Sequence, residues 1–442
     1  MAAPLTGNAA LPLERPAARL SLRANFAWTL SGNVVYAGCQ WGMLVALAKL
    51  GTPEWVGQFA LGLAVTAPVL LFANLQLRSV QATDVEDQYR FGHFLALRLL
   101  MLGLAVLCIA GVILISGFGR QAALVVAAVG LAKSFESISD VYYGLMQKHE
   151  RMDRIAKSMM IKGPLSLAAL AAGTYVTRSV AIGVAAMAVV WLGVLVLYDM
   201  RSGRMILKAN GARVDGKPLW NGAVLRRLAW LALPLGVVMM LNSLNANIPR
   251  YAVEQRLGQW ELGIFAALAY LQIAESTVIN ALGQSATPRL AAYFMQRQMP
   301  LFNLLNRRLL LMGIGMGAAG VAVALGCGHF ILTLIYRPEY AEYSSVFVWL
   351  MAGAALSNVA GFIGYGLTAA KCFRVQMPLL IGESLVLTAA CFLLVPVSGL
   401  MGAAIAYVIA KGCLIVFSAL ALRHAVKSVA GLTGAGEEAS HA

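Results

Sequence analysis

Three ionisable residues lie inside one long apolar segment, where charges are costly. Lys133, Glu136 and Asp140 fall within the apolar segment 122–146 at positions i, i+3 and i+7, so a helix would place all three on one face. A charge at the centre of a bilayer costs roughly 2.5–3.5 kcal/mol on insertion scales. Such residues are tolerated where they face protein or water. The pattern therefore predicts a helix that lines an internal polar cavity, as in a transporter.

Two further cations belong to the same half of the chain. At ~1.5 Å per residue, Arg98 and Lys162 would lie about 6 and 10 Å into their segments, close to the depth of Asp140. An Arg98–Asp140–Lys162 cluster therefore fits one layer. Internal salt bridges that fix helix packing are one interpretation, and Arg98 could also extend to the interface. The other is a net-positive surface for an anionic ligand, which Lys133 in particular would contact.

The second half carries fewer buried charges. Glu383 and Lys411 lie in neighbouring apolar segments and are expected to pair, while Arg250 lies at the outer mouth of the segment 228–248. Glu275 has no basic residue nearby in the sequence. It is a candidate site for a coupling proton or sodium ion.

Polar uncharged side chains recur in the first segment of each half. Asn33 and Gln40 lie in one and Asn245 in its counterpart. They could bind substrate hydroxyl groups, and hydrogen bonds between helices are an equally good explanation. The candidate substrate-binding residues are Arg98, Lys133, Lys162, Arg250, Lys411, Asn33, Gln40 and Asn245. The candidate ion-coupling or charge-pair residues are Glu136, Asp140, Glu275 and Glu383.

Composition is typical of a polytopic membrane protein. Of 442 residues, 60% are hydrophobic and 12% charged, and the mean hydropathy is +0.76. The net charge of +15 does not indicate nucleic acid, because the basic residues cluster between apolar segments. The six cysteines are scattered without CxxC or Cys/His spacing. We therefore expect no metal site and no cofactor.

Twelve segments are long and apolar enough to cross a bilayer, which takes about 20 residues. They are 25–48, 55–77, 94–116, 122–146, 155–175, 180–200, 228–248, 262–282, 309–335, 346–369, 378–396 and 400–422. Lysine and arginine are about four times as frequent in the connections on the side of the N-terminus. The positive-inside rule therefore places both termini in the cytoplasm. No removable signal peptide is expected, since the first residues lack an apolar core before a cleavage site.

The basic connection 201–227 divides six segments from six, and the halves share weak similarity. Residues 50–57 resemble 257–263, and Tyr-Gly-Leu at 143–145 recurs at 365–367. Two halves of the same orientation form a parallel repeat. We predict an all-α integral membrane protein of about twelve transmembrane helices, in two six-helix lobes related by pseudo-two-fold symmetry around a central cavity. The predicted divisions are an N-terminal tail 1–24, a first lobe 25–200, a linker 201–227, a second lobe 228–422 and a tail 423–442.

Several motifs resemble those of bacterial polysaccharide-repeat flippases. They include Gly57-Gln-Phe-Ala-Leu-Gly, Asn74-Leu-Gln-Leu-Arg78, Tyr143-Gly-Leu-Met-Gln147 and Asn245-Ala-Asn-Ile-Pro-Arg250-Tyr251. These proteins form the polysaccharide transporter branch of the multidrug/oligosaccharidyl-lipid/polysaccharide exporter superfamily, which includes the Wzx-type O-antigen flippases. The chain departs from a simply cationic cavity, because Glu136 and Asp140 accompany Lys133.

The resemblance implies a transporter, not an enzyme, in the bacterial inner membrane. It would move an undecaprenyl-pyrophosphate-linked oligosaccharide across the bilayer by alternating access, for synthesis of O-antigen, exopolysaccharide or capsule. A cationic cavity would receive the pyrophosphate and sugars while the prenyl tail stays in lipid. Other polysaccharide assembly proteins are expected partners, and nucleic acid is not. A proton or sodium gradient would reset the lobes.

There are two alternatives, one a transporter of the same superfamily and one an enzyme. A drug/cation antiporter of the same superfamily would favour an acidic cavity, whereas the first segment has no acid and the first half has three buried cations. A membrane enzyme of glycan assembly would need a larger exterior loop for its catalytic groups, and the exterior connections are about ten residues at most. Both alternatives are therefore weaker.

Overall fold

A computed structural model describes residues 21–84, 86–209 and 216–440, and within these ranges every regular element is a helix. Most of the predicted tail 1–24 lies outside them. A five-residue π-helical segment, Leu195–Asp199, joins α7 to α8. The helices are α1 (Leu22–Leu50), α2 (Pro53–Asn74), α3 (Leu77–Thr83), α4 (Phe91–Ile115), α5 (Arg120–Lys148), α6 (Met152–Thr177), α7 (Val180–Val194), α8 (Met200–Ala209), α9 (Gly222–Leu257), α10 (Gln259–Tyr270), α11 (Gln272–Met295), α12 (Met299–Ile335), α13 (Pro338–Ala341), α14 (Ser344–Ala369) and α15 (Phe373–Ser440).

Each predicted membrane segment falls on a helix or on consecutive helical pieces. Among the described residues, nine helices are long and apolar enough to cross a membrane, or ten if the bent pair α10 and α11 forms one span. The difference from the predicted twelve has two sources. Helix α1 has the length, but polar residues such as Asn33 and Gln40 make it less apolar. The last two predicted segments lie within α15, which is broken at Gly399 (φ 57°, ψ −135°), a backbone conformation that favours glycine.

The helices pack as two lobes. In the first lobe α1 packs on α6, α6 on α7, and both α2 and α4 on α5. In the second, α14 packs between α12 and α15, and α15 also contacts α9. The predicted linker is partly helical, because α8 covers its start and α9 begins at Gly222. Leu219 lies in the linker shortly before α9. Its amide donates to the carbonyl oxygen of Gly92 in α4 at 2.9 Å, so this part of the linker is attached to the first lobe.

The lobes meet where α2 packs against α9 and α10, and glycines of the repeated motif lie at the closest approach. A Cβ atom on Gly57 would lie 2.0 Å from the carbonyl oxygen of Gln259, and one on Gly263 would lie 1.8 Å from that of Pro53. Only glycine permits this approach. The Tyr251 hydroxyl also donates to the Ala64 carbonyl across the interface. Helix α9 also approaches the opposite end of α2, where a Cβ atom on Gly236 would lie 2.9 Å from the carbonyl oxygen of Phe72. The lobes therefore contact each other along α2, most closely at Gly57 and Gly263.

Candidate functional site

A cavity of about 610 Å³ lies at the other end of α2, against the first lobe. Its wall includes Lys133, Glu136 and Asp140 of α5. Because α5 turns by about 100° per residue, these three side chains lie within about 60° of arc. The predicted charged face of this helix therefore lines a polar cavity. Arg78 of α3 and Lys162 of α6 are the other charged side chains that line it, and Met239 of α9 contributes from the second lobe.

Lys133 is paired, yet it remains accessible from the cavity. Its Nζ lies 2.7 Å from Oε2 of Glu136, and the two side chains are 28% and 29% exposed. The other carboxylate oxygen of Glu136 accepts a hydrogen bond from the Tyr36 hydroxyl at 2.5 Å. The ammonium group also lies 5.1 Å from the centroid of the Trp191 ring, within the range of a cation–π contact. A ligand anion could therefore approach Lys133 in place of Glu136.

Asp140 is shared between two guanidinium groups. Nη2 of Arg98 lies 2.9 Å from Oδ2 of Asp140, and the Arg98 side chain is only 1% exposed. Arg98 also donates to the side-chain oxygen of Asn74. Nη1 of Arg78 lies 3.7 Å from Oδ1 of Asp140 with its side chain 32% exposed, and its Nε donates to Gln147 at 2.9 Å. Arg98 thus holds the carboxylate from behind, whereas Arg78 faces the cavity.

The predicted layer of Arg98, Asp140 and Lys162 is only partly formed, because Lys162 pairs with a different acid. Its Nζ lies 3.6 Å from Oδ2 of Asp199, and both side chains are almost fully buried. It also donates to the Ser139 hydroxyl at 3.1 Å. Asp140 and Lys162 both line the charged cavity, but the Lys162 ammonium group is directed toward Asp199 in the π-helical segment.

Asp199 ends that π-helical segment, and its carboxylate is held by hydrogen bonds. The Ser158 hydroxyl donates to Oδ1 of Asp199 at 2.6 Å, and Ser158 lies 2.7 Å from the Tyr143 hydroxyl. Tyr143 in turn accepts a hydrogen bond from Lys162 at 3.2 Å. Single π-helical turns occur often at functional sites. This network connects the cavity wall at Tyr143 and Lys162 with the interior of the first lobe.

The predicted pairing of Glu383 with Lys411 is present in the second lobe. Nζ of Lys411 lies 2.6 Å from Oε1 of Glu383. Asn245 donates to the other carboxylate oxygen at 3.1 Å and accepts from the Ser384 hydroxyl at 2.5 Å. Glu383 and Asn245 are 3% and 4% exposed. These groups satisfy one another and attach α9 to α15, and none of them lines the charged cavity.

A separate cavity of about 340 Å³ in the second lobe is lined in part by Arg250 and Asn358. Arg250 donates to Oδ1 of Asn247 at 2.8 Å, and Asn358 donates to one oxygen of Glu275. The other oxygen of Glu275 has no hydrogen-bond partner among the described residues. Glu275 is partly exposed, so this oxygen could hold a proton or a cation.

The family follows from comparison with known proteins. A family model described as polysaccharide biosynthesis protein matches residues 22–294. The chain belongs to this family. It is also 27% identical to the capsular polysaccharide biosynthesis protein CapF of Staphylococcus aureus over 387 residues, which are 88% of this chain and 96% of CapF.

Solved transporters share the fold of this polysaccharide biosynthesis family member. A multidrug resistance MATE family transporter of the MOP superfamily, in its inward-facing conformation, aligns with a TM-score of 0.73 and 12% identity over 92% of this chain and 99% of that one. The lipid II flippase MurJ in its inward closed conformation aligns with a TM-score of 0.68 and 10% identity over 92% and 90% of the two chains. The protein is therefore a multi-pass helical membrane protein with the two-lobed fold that these solved structures share.

Two site residues of this polysaccharide biosynthesis protein, Arg78 and Asp199, were not predicted from the sequence. Arg78 was assigned to a connection, but Leu75 and Gln76 adopt positive φ angles of 49° and 50°, and this turn brings α3 into the cavity wall. Asp199 is an acid inside the apolar segment 180–200, and this position alone indicates a buried polar site. Of the predicted polar residues, neither Asn33 nor Gln40 lines the charged cavity.

Proposed function

We propose that the protein is a flippase that moves a lipid-linked oligosaccharide across the bilayer for assembly of a surface polysaccharide. The proposed substrate carries an undecaprenyl-pyrophosphate anchor, and the proposed location is the bacterial inner membrane with both termini in the cytoplasm. The observation that carries the proposal is that two cations, Lys133 and Arg78, remain accessible in the wall of the charged cavity. Guanidinium and ammonium groups are the side chains that bind phosphate best.

The paired acids suggest how binding and release are balanced. In the empty cavity Glu136 neutralises Lys133 at 2.7 Å, and Asp140 lies 3.7 Å from Arg78. A pyrophosphate would compete with these carboxylates for the same cations, so its net affinity stays moderate and release remains feasible. Sugar hydroxyls would face the polar residues beside them, such as Gln147 and Tyr143. The prenyl chain would stay in lipid.

Alternating access would use the lobe contact at Gly57 and Gly263. Helices α2 and α10 are in backbone contact there, and the charged cavity lies toward the other end of α2. Rocking of the lobes would separate the two glycines and open the cavity to the other leaflet, as in parallel-repeat transporters.

The function is tested in a strain that lacks its own flippases for lipid-linked sugars. Expression of the protein with its cognate sugar pathway is expected to restore surface polysaccharide and to clear lipid-linked units that accumulate inside. Efflux of cationic dyes is expected to stay unchanged. Dye efflux that persists without lipid-linked sugars would instead identify a drug antiporter, the alternative that the MATE-type fold keeps open. If lipid-linked units accumulate in the expressing strain as much as in the strain without the protein, the flippase proposal is refuted.

Return of the empty lobes is proposed to depend on a proton or sodium ion at Glu275, with Glu136 and Asp140 as further candidate sites. Glu275→Gln retains an oxygen for the Asn358 hydrogen bond but removes the charge. We expect it to lower gradient-driven flipping in proteoliposomes by roughly 5- to 150-fold, the range of ordinary coupling energies. Protein abundance should not change.

The matched control is Glu339→Gln, which changes an exposed acid in the short helix α13 in the same way. It should respond to an imposed proton or sodium gradient as the unmodified protein does. If Glu275→Gln also keeps its full response to the gradient, coupling lies elsewhere, and Glu136 and Asp140 become the acids to test.

A further inference from the structure

A second cavity of the first lobe lies on its outer surface, separated from the charged cavity by α5. It has a volume of about 750 Å³, and α5 contributes Phe135, Ile138 and Tyr142 to its wall. At about 100° per residue, their mean direction lies about 160° from that of the charged face at 133, 136 and 140. Helix α5 therefore presents a polar face to one cavity and an apolar face to the other.

The rest of this wall is also apolar along most of its length. Helix α4 contributes Leu95 and Leu99, and the α7 side contributes Leu192 and Val196. Leu192 and Val196 are 40% and 49% exposed, so the cavity is a groove open to the lipid side. From Leu192 to Arg204, the first basic residue of this wall, the groove runs about 18 Å at ~1.5 Å per residue. This exceeds the roughly 15 Å that one leaflet of a ~30 Å hydrocarbon core provides.

One end of this groove is basic. Arg204 and Lys208 of α8, together with Lys217 in the following connection, lie in its wall, and all three are exposed. None of them forms an ion pair with a residue in the described part of the chain. Helix α8 keeps Ile206 buried against the lobe and so holds its cations at the end of the apolar wall.

We propose that the α4–α5–α7 groove binds a glycerophospholipid with an anionic headgroup. Its phosphate would contact Arg204, Lys208 and Lys217, and one acyl chain would lie along the apolar wall. Charge complementarity selects the headgroup, and the length of the groove fits the chain. The site differs from the proposed substrate site, because the body of α5 separates it from Lys133.

The position of this groove gives its lipid a structural consequence. Leu195 and Val196 in the groove wall belong to the same π-helical segment as Asp199, whose carboxylate pairs with Lys162. A bound acyl chain would pack against the outside of the segment that carries the buried ion pair. The lipid would therefore stabilise the arrangement of the first lobe at that point.

The proposal is tested with the full-length protein in nanodiscs of phosphatidylcholine. Each sample contains a trace of a photoactivatable lipid with a diazirine in one acyl chain, either phosphatidylglycerol or phosphatidylcholine, and labelled peptides are identified by mass spectrometry. Peptides of α4 and α7 are expected to label at least about 5-fold more with phosphatidylglycerol, a ratio that corresponds to roughly 1 kcal/mol for one cation near an anionic headgroup. The triple variant Arg204→Gln/Lys208→Gln/Lys217→Gln should lower labelling to the phosphatidylcholine value.

The control Arg226→Gln/Arg227→Gln removes two exposed cations of α9 that do not line the groove and should keep the preference. A second variant, Leu99→Trp, fills the groove with the three cations intact and should also abolish the preference for phosphatidylglycerol. Equal labelling of the unmodified protein by the two lipids, or a preference that survives either groove variant, would overturn the proposal in favour of ordinary bilayer contact. Displacement of the phosphatidylglycerol label by excess polyprenyl pyrophosphate would overturn it in favour of a substrate path.

Discussion

Replacing Lys162 with methionine is expected to destabilise the first lobe by about 3–5 kcal/mol, the usual cost of breaking a buried ion pair. The substitution leaves Asp199, which is 0% exposed, without its cation. The Ser158 hydroxyl would remain as a donor to one carboxylate oxygen, but the other would lose its charged partner. Thermal unfolding of the purified protein and its abundance in membranes should both decrease.

The double variant Lys162→Met/Asp199→Leu separates the charge pair from the packing around it. Replacing both partners of a buried pair with apolar residues is often neutral, so the double variant should recover most of the lost stability. As a control, Lys157→Met breaks a pair in which the lysine side chain is 50% exposed and Asp153 keeps Arg151 at 2.9 Å, so it should have little effect. A double variant no more stable than Lys162→Met would contradict this assignment. If the double variant is stable but does not transport, the ion pair also has a role in transport.

The helices were predictable because the hydropathy of a membrane segment is a sum over consecutive residues. Every predicted membrane segment lies on helical residues, including the final two, although they appear as one helix broken at Gly399. The charged face of α5 was predictable for a similar reason, since the spacing of Lys133, Glu136 and Asp140 fixes their relative direction on any helix. Both inferences need only residues that are close in the sequence.

Partners across helices were harder to predict, because they depend on how each helix is rotated. The depth of Lys162 suggested Asp140, but the helix directs it to Asp199, 37 positions along the sequence and 3.6 Å away in space. Arg78 reaches the cavity through a turn in which Leu75 and Gln76 have positive φ. Few non-glycine residues adopt such angles, and no hydropathy pattern indicates them. The lobe contact at Gly57 and Gly263 was only visible as a repeated motif.

The charges around the cavity nearly cancel, so the accessible cations are the ones that can bind. Lys162 is offset by Asp199, and Arg98 is buried against Asp140. Lys133 has a partner in Glu136 but stays 28% exposed. Access, more than net charge, therefore distinguishes Lys133 from the other buried cations of the first lobe.

Lys133→Gln is accordingly expected to lower flipping by roughly 10- to 150-fold, because a hydrogen bond to a charged group contributes about 1.5–3 kcal/mol. Flipping would be measured with lipid-linked oligosaccharide in proteoliposomes that contain equal amounts of folded protein. The substitution removes the ammonium group that would donate a hydrogen bond to the pyrophosphate. Lys133→Arg should retain a large part of the activity, since it keeps the charge. A fall in activity that only matches a fall in folded protein would indicate a packing role.

Two variants separate substrate binding from neutralisation of Glu136. If Lys133 only balances that acid, Lys133→Gln/Glu136→Gln should recover activity, because the cavity is then free of both charges. If Lys133 contacts the substrate, the double variant should remain as slow as Lys133→Gln. The control is Lys157→Gln, since Lys157 also has an aromatic face and an acid nearby, with its Nζ 5.3 Å from the centroid of the Trp28 ring and 3.9 Å from Asp153. Lys157 does not line the charged cavity, so its variant should flip at the unmodified rate, and equal losses in both lysine variants would contradict a specific role for Lys133.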